Sequence, residues 1–422
     1  MRSSRIVDRN IWVINGAVLL LGIAYGASLA VLAIHLNAHG IPKVAMGALS
    51  ASFALGIAGL SIPAGWLIAR FGSKKTMTAA LLGYAVCVLA FPFLTTVAGL
   101  SLVRFFDGAF SVGIWVAVET ALLSRADRNN SGYVMSLYSI AVALGYVVGP
   151  LVSRLVVASL GTSAAFIAAA VLACAAAVLI SVMLEGDRKS GAVATDSAAH
   201  PAEFASDDEL ADGAKGAARV SARLVLWRIK TSCLATFSYG YFQASVVLFL
   251  PLYLVESKGI EEKQTILITA FFAMGALLAV TWMGRLGDRY GHLLLMRVLS
   301  AVGGTLVGSF LLLSSFPAMC VTVFVAGATL ASISPLGLAL QGIVTPASDL
   351  GRANAFYNAA YALGMLIGPP LSSVLFTRIG GGAMLIHLAA MWAFFVVFTL
   401  VFASDDPQMR SGIIRPRGEM AN

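Results

Sequence analysis

Three charged residues interrupt one long apolar stretch of this sequence: Arg104, Asp107 and Glu119. Charged side chains are costly inside a membrane-spanning helix and mark ion or substrate pathways there. At 100° per residue the three share an arc of about 120° of helix surface with Ser111 and Trp115. A polar stripe on an apolar helix must face protein or water, so it is the first candidate site.

The two carboxyl groups of this stripe predict proton binding in different surroundings. Arg104 and Asp107 are one turn apart and can form an ion pair, which leaves Asp107 a poor proton carrier unless the pair opens. Glu119 lies roughly 18 Å further along the helix axis and has no basic residue three or four positions away. An unpaired carboxyl group suits reversible proton binding. Glu119 is therefore the favoured carrier and Asp107 the second choice, while a structural role for both remains open.

The composition indicates that the elements positioning these groups are membrane helices. Of 422 residues, 59% are hydrophobic and 11% are charged, and the mean hydropathy is +0.89. Soluble proteins average about 25% charged residues. This composition excludes a soluble enzyme, a disordered scaffold, a coiled coil and a disulfide-stapled secreted domain. The four cysteines lie in apolar stretches without CxxC or metal-ligand spacing, so neither a metal nor a cofactor is predicted.

Twelve apolar segments approach or exceed the roughly 20 residues that a spanning helix needs. They cover residues 11–34, 44–69, 76–97, 99–124, 132–158, 163–184, 229–255, 265–287, 293–314, 317–344, 352–377 and 383–403. We expect an all-α integral membrane protein with four parts: a six-helix bundle (1–184), a flexible cytoplasmic linker (185–228), a second six-helix bundle (229–403) and a cytoplasmic tail (404–422).

The net charge of +8 is interpreted as a topology signal. If the N-terminus is cytoplasmic, 22 of the 28 Lys and Arg residues fall in cytoplasmic segments, as the positive-inside rule requires. Both termini are therefore expected in the cytoplasm. The basic charge then implies no nucleic-acid partner. We expect a multi-pass, monomeric protein of a bacterial inner membrane.

An internal repeat with a constant offset of 219 residues relates the two halves. The loop residues Gly65, Arg70 and Gly72 recur as Gly284, Arg289 and Gly291. The helix residues Gly145, Gly149 and Pro150 recur as Gly364, Gly368 and Pro369. Because six spans form each unit, both copies enter the membrane from the same side, which predicts a parallel repeat.

These loop motifs resemble the signature of the major facilitator superfamily between helices 2 and 3, with its echo between helices 8 and 9. The second copy keeps the family's aspartate as Asp288, whereas the first copy has Ala69 in that place. The resemblance implies a twelve-helix transporter with rocking alternating access. It also implies that the loops act as gates and that Asp288 latches a neighbouring helix, with a positive-inside loop as the simpler alternative.

Two further segments resemble motifs of this superfamily. Gly145, Gly149 and Pro150 resemble a motif of its proton-coupled antiporters, although Ser153 and Arg154 replace the final glycines. Antiport and plain helix packing both remain open for this segment, and its duplicate in the eleventh span favours a partly structural role. Arg104 resembles the arginine of a helix 4 motif that is linked to proton transfer in the family.

The family's central cavity implies a set of candidate substrate-binding residues on the spans that line it. They are Asn15, Tyr25, Ser111, Trp115, Thr236, Tyr239, Gln243, Asn354, Tyr357, Asn358 and Tyr361. These groups are uncharged or aromatic and suit neutral or amphipathic organic solutes, although hydrogen bonding between helices is an alternative for each. No intramembrane cluster of Arg or Lys is predicted, which argues against a phosphate or dicarboxylate substrate.

The favoured function is therefore secondary active transport, with proton-coupled export of small amphipathic or neutral organic solutes. The sequence has no G-x-x-x-x-G-K-[ST] motif for ATP, so a gradient must supply the energy. The closest resemblance is to small bacterial drug-resistance-type permeases. The expected partners are the solute, protons and the lipid bilayer. Uptake or facilitated diffusion of a sugar or metabolite is one alternative, and a non-transporting membrane scaffold or receptor is another.

Overall fold

A computed structural model describes residues 8–126, 131–185, 221–346 and 349–406, and within these ranges the chain is helical without strands. The N-terminal half contains α1 (Arg9–Ala38), α2 (Lys43–Phe71), α3 (Ser73–Ala90), α4 (Val97–Leu123), α5 (Ser131–Leu160) and α6 (Thr162–Met183). The C-terminal half contains α7 (Ala222–Arg228), α8 (Lys230–Lys258), α9 (Glu262–Tyr290), α10 (His292–Ser309), α11 (Phe316–Leu330), α12 (Ile333–Val344), α13 (Leu350–Arg378) and α14 (Gly381–Val401).

Twelve helical segments of the described chain are long and apolar enough to cross a membrane, which confirms the predicted number of spans. Each corresponds to one helix except the tenth, which α11 and α12 form together. Most of the predicted linker 185–228 and residues 407–422 of the predicted tail lie outside the described residues.

The tenth span is interrupted where hydroxyl side chains bond to the preceding turn. Thr329 Oγ1 donates to Val325 O at 2.9 Å, and Ser332 Oγ donates to Ala328 O at 2.8 Å. Hydroxyls that bond back in this way often bend a helix. The sequence-based prediction of one continuous helix over 317–344 therefore missed a local break.

The two loop motifs form equivalent turns. Gly72 connects α2 to α3 with φ +84°, and Gly291 connects α9 to α10 with φ +98°. Only glycine adopts positive φ without steric cost, so the motif needs glycine at these two positions. A Cβ atom on Gly65 or Gly284 would meet no atom within 4 Å, so close packing does not require the first glycine of either copy.

The internal repeat is also visible in the packing of α2 on α4 and of α9 on α11. A Cβ atom on Gly56 would lie 1.9 Å from the carbonyl oxygen of Phe105. One on Gly275 would lie 2.0 Å from the carbonyl oxygen of Phe324. The two contacts are 219 residues apart. Because small residues let helix backbones approach closely, the duplicated sequence produces duplicated helix pairs.

The glycine motif of α5 packs this helix against α1. A Cβ atom on Gly145 would lie 2.6 Å from Gly22 Cα, and one on Gly149 would lie 2.5 Å from the Ile23 carbonyl oxygen. Ser153 Oγ completes the contact by donating to the Ala27 carbonyl oxygen at 2.7 Å. The antiporter-like motif thus occupies a tight interface between the first and fifth spans.

The equivalent motif of α13 packs against α8, the first span of the second half. A Cβ atom on Gly364 would lie 2.2 Å from the Phe237 carbonyl oxygen, and one on Gly368 would lie 2.6 Å from that of Tyr241. Pro369 follows within the same helix, as Pro150 does in α5. Both copies therefore hold a first span against a fifth span of the same half.

The two halves meet at the end of the bundle that lies away from the first and last described residues. Lys43 at the start of α2 forms an ion pair of 2.9 Å with Glu256 near the end of α8, and its ammonium lies 5.0 Å from the ring centroid of Phe376. Next to this pair, a Cβ atom on Gly47 would lie 2.9 Å from the Pro369 carbonyl oxygen. Close backbone packing and a charge pair thus close this end.

Candidate functional site

A cavity of about 1110 Å³ lies between the two halves. Its walls combine residues of α1, α2, α4 and α5 with residues of α8, α9 and α13. It extends from Leu36 and Met46 near the closed end to Glu119 and Asn354 toward the opposite end. This volume accommodates an organic molecule of drug size, for which pockets of about 300–1,000 Å³ are typical.

The polar stripe of α4 lines this cavity along the length of the helix. The residues are Arg104, Asp107, Ser111, Trp115 and Glu119. Their helical spacing of three or four residues places them on one face, and α4 presents that face to the space between the halves. The structure therefore brings together the five residues that share one arc of the helix in sequence.

Arg104 and Asp107 form an ion pair through Nη1 and Oδ2, as their one-turn spacing predicts. Both residues are buried, with 8% and 5% exposure. The guanidinium lies 4.3 Å over the ring of Phe53, and Ser111 Oγ donates to the Asp107 carbonyl oxygen at 2.6 Å. The pair thus has an aromatic cover on one side and opens to the cavity on the other.

Glu119 has a different environment. It is half-buried, and Tyr138 OH donates to its Oε1 at 3.3 Å. Within the described part of the chain, it forms no ion pair. The carboxyl group therefore faces the cavity with a neutral partner only, which leaves it able to exchange a proton with water or with a charged solute.

A wall of aromatic rings covers the N-terminal side of the cavity. Tyr25 lies nearly parallel to Trp115, with ring centroids 5.6 Å apart, and to Tyr146 at 6.4 Å. Tyr84 contacts the same ring at 4.5 Å. Tyr25 OH also hydrogen-bonds to Ser111 Oγ, which connects the aromatic wall to the polar stripe.

The C-terminal side of the cavity carries amide groups. Tyr361 OH donates to Gln243 Oε1 at 2.9 Å, and Gln341 Nε2 donates to Asn354 Oδ1 at 2.5 Å. Asn358 is exposed to the cavity. In both bonded amides the oxygen is engaged, so the NH₂ groups remain available to a solute.

The cavity lining includes eight of the eleven predicted substrate residues: Tyr25, Ser111, Trp115, Tyr239, Gln243, Asn354, Asn358 and Tyr361. The other three lie elsewhere. Asn15 Nδ2 donates to the Ile11 carbonyl oxygen of its own helix at 2.8 Å. Thr236 Oγ1 lies 3.3 Å from Ser334 Oγ, and Tyr357 OH donates to the Ser334 carbonyl oxygen at 2.5 Å. These groups bond within or between helices, which is the alternative that the sequence leaves open.

The aromatic lining residues that sequence reasoning missed include Phe53, Tyr84 and Tyr146. Each lies within an apolar run, so no polar periodicity singles it out. A signal was available for Phe53, since Phe272 lies 219 residues later and also lines the cavity. Tyr84 carries no such signal, because α3 contributes a single residue to the lining.

The predicted gate residues lie at the helix ends opposite the closed end. Arg70 stacks at 5.3 Å on the ring of Trp66, and Arg289 lies 5.2 Å from the ring of Tyr290. Asp288 is largely exposed, and its Oδ1 lies 3.4 Å from His292 Nε2 at the start of α10. In this conformation the described contacts of Asp288 are thus local to the turn between α9 and α10.

The two halves differ sharply in the polarity of their fourth spans. At the 219-residue offset, the positions of the five stripe residues of α4 are occupied by Val323, Ala326, Leu330, Ser334 and Leu338. The second copy therefore has no charged group in this stripe. In the described chain, the intramembrane charges belong to the N-terminal half and the amide wall to the C-terminal half.

Comparison with known proteins assigns the family. A sequence profile of the Major Facilitator Superfamily matches residues 14–266 and 232–418. The chain belongs to the major facilitator superfamily. It is therefore a multi-pass membrane transporter and not an enzyme.

Similar sequences in this superfamily occur in archaea and bacteria. An uncharacterized MFS-type transporter of Methanocaldococcus jannaschii is 23% identical over 94% of this chain and 96% of its own length. One of Yersinia pestis is 27% identical over 72% of each chain. One of Escherichia fergusonii is 22% identical over 94% of this chain and 96% of its own.

Solved structures with the same fold include transporters of different solutes. The nucleoside transporter NupG has a TM-score of 0.73 at 13% identity, over 94% of this chain and 99% of its own. A D-xylose-proton symporter has a TM-score of 0.73 at 14% identity, over 92% and 97%. A POT family transporter in complex with a thioalcohol-conjugated peptide has a TM-score of 0.75 at 14% identity, over 94% and 96%. At these identities the likeness establishes the superfamily fold.

Proposed function

We propose that this superfamily member couples the export of small amphipathic or neutral organic solutes to the entry of protons, as a monomer in a bacterial inner membrane with both termini cytoplasmic. The observation that carries the proposal is the environment of Glu119. This carboxyl group lines the cavity without a basic partner, beside an aromatic wall that suits apolar solutes.

Glu119 is the proposed proton carrier. A carboxyl group that takes part in coupling must exist in both protonation states during the cycle, and a permanent ion pair would oppose the neutral state. Asp107 has such a partner in Arg104, whereas Glu119 has the hydroxyl of Tyr138. Asp107 therefore takes part only in a state in which its pair opens.

The closed end of the bundle supplies the proposed cycle. With the ion pair Lys43–Glu256 formed and α2 packed on α13, solute reaches the cavity from the opposite end. Opening this end requires the two halves to separate there and to approach each other at the loops that carry Gly72 and Gly291. The rocking motion keeps each half intact, because its internal contacts are tight glycine contacts.

The test is proton movement in proteoliposomes that contain the purified protein and an internal pH dye. Addition of a transported amphipathic solute should produce a solute-dependent pH change. The Glu119→Gln variant should abolish this change and leave solute binding largely intact. Normal coupled flux in this variant would rule out Glu119 as the carrier.

A matched control is Glu262→Gln, which removes an exposed carboxyl group in the first turn of α9, outside the cavity. This variant should transport as the wild type does. Asp107→Asn tests the second carrier, and loss of coupling in it alone would move the role to Asp107.

A second candidate function is uptake or facilitated diffusion of a sugar or metabolite. The amide wall of Gln243, Asn354 and Asn358 favours it, because amides also bind hydroxylated solutes. Counterflow of labelled sugars without proton movement would support this candidate. A protein that moves no solute and shows no solute-dependent conformational change would instead be a membrane scaffold or receptor.

A further inference from the structure

The aromatic wall of the cavity is flat. The ring of Tyr25 is inclined by 26° to that of Trp115 and by 19° to that of Tyr146. Across the cavity, the rings of Tyr239 and Tyr361 are inclined by 29° with centroids 6.3 Å apart. Offset stacking on nearly parallel rings favours a planar ligand over a bulky aliphatic one of equal area.

The amide wall offers donors rather than acceptors. The oxygen of Gln243 is held by Tyr361 OH and the oxygen of Asn354 by Gln341 Nε2, so both NH₂ groups are left for a ligand. An NH₂ group requires an acceptor, and a carbonyl oxygen accepts two hydrogen bonds. The C-terminal wall therefore selects a ligand with a carbonyl group.

The N-terminal wall offers the opposite chemistry. Glu119 faces the cavity and has no acidic or basic neighbour in its own helix within four residues. A protonated amine pairs with a carboxylate, whereas a neutral amide does not form this charge-assisted bond. The two walls thus present complementary groups on opposite sides of one cavity.

We propose that the cavity binds a flat aromatic solute that carries a carbonyl acceptor at one edge and an amine at the other. The amine faces Glu119 on α4, the rings stack on Tyr25 and Trp115, and the carbonyl group meets Gln243 and Asn354. This inference rests on the cavity of the proposed function and adds the substrate class to it. Export and proton coupling are separate claims.

A series of four probes separates the three recognition elements. The complete probe is an aminoalkyl fluorenone, and aminoalkyl fluorene lacks only the carbonyl group. Aminoalkyl cyclohexanone lacks the aromatic rings, and the N-acetylated fluorenone lacks the charged amine. Dissociation constants are measured on the full-length protein in nanodiscs at constant pH without a gradient, so the result does not depend on coupling. The complete probe should bind about three- to tenfold more tightly than each of the others.

A positioning variant distinguishes carbonyl recognition from stacking. Tyr361→Phe keeps its ring but removes the hydroxyl that holds Gln243 Oε1, so the amide no longer presents a fixed NH₂ group. The preference for fluorenone over fluorene should fall about threefold, while the preference over cyclohexanone should persist. Tyr253→Phe is the matched control, since this tyrosine of α8 lies outside the cavity and should leave both preferences unchanged.

Two outcomes overturn this substrate assignment. One is equal binding of fluorenone and fluorene, or no binding of any probe. The other is an unchanged preference in Tyr361→Phe. Solute-driven proton movement with other compounds would in these cases leave the proposed function standing. Conversely, the predicted order of affinities without proton movement would support the substrate class and count against proton-coupled export.

Discussion

The buried ion pair of α4 gives a quantitative prediction about stability. Asp107→Asn leaves the guanidinium of Arg104 at 8% exposure without a counter-charge. Removing one partner of a buried pair typically costs about 3–5 kcal/mol. A guanidinium cannot relieve this cost by losing a proton. We therefore expect the variant to lose about 3–5 kcal/mol of unfolding free energy.

The reciprocal variant and the double variant complete a thermodynamic cycle. Arg104→Gln should cost less from charge burial, because a lone carboxyl group can become neutral by binding a proton. It also loses the contact with the Phe53 ring at 4.3 Å, which contributes about 0.5–2 kcal/mol. The double variant removes both buried charges, so its unfolding free energy should lie within about 1–2 kcal/mol of the wild-type value.

The assay is equilibrium unfolding of the purified protein in mixed micelles, followed by intrinsic fluorescence. The half-exposed pair Lys43–Glu256 serves as the reference, because an exposed pair contributes about 0–1 kcal/mol. If the double variant loses the sum of the two single losses, the two residues are energetically independent. That result would refute the reasoning that α4 tolerates these charges because they are paired.

Three further predictions concern the packing and the closed end. Gly149→Ala places a Cβ atom 2.5 Å from backbone and should cost about 1–3 kcal/mol, whereas Gly342→Ala, with no atom within 4 Å, should be neutral or stabilising; thermal unfolding compares the two. Gly72→Ala must adopt φ +84° and should lose about 1–2 kcal/mol by the same measurement, and a wild-type melting curve would contradict the turn geometry. Lys43→Glu places two like charges at the closed end, so a cysteine introduced in the cavity should react faster with an impermeant maleimide from that side. Adding Glu256→Lys should restore the slow rate, and equal rates in all variants would mean that the pair does not hold this end closed.

Much of the fold follows from patterns that operate along the chain. The apolar lengths predict twelve spans, and all twelve are present in the described residues. The constant offset predicts equivalent turns at Gly72 and Gly291, which both adopt positive φ. The break between Leu330 and Ile333 was not predictable from hydropathy, because hydroxyl groups that bond within a helix do not change its apolar character.

The candidate site was only partly predictable, for a geometric reason. The residues of the α4 stripe share one face by helical periodicity alone, so their common exposure to the cavity follows once α4 is known to line it. Thr236 and Tyr357 fit the same type of pattern on their own helices, yet both bond to Ser334 in the protein interior. Periodicity gives the angle between side chains of one helix but not the direction in which the helix turns them.

The sequence by itself determined the class of the protein, the number of spans, the duplicated architecture and the pairing of Arg104 with Asp107. These properties depend on composition, segment length and short helical spacing, which are all local. Only the tertiary structure decided that Tyr84 and Tyr146 join Tyr25 in one aromatic wall and that Tyr138 reaches Glu119. Contacts of this kind depend on how each helix is rotated and packed against its neighbours, and that rotation is set by the whole bundle.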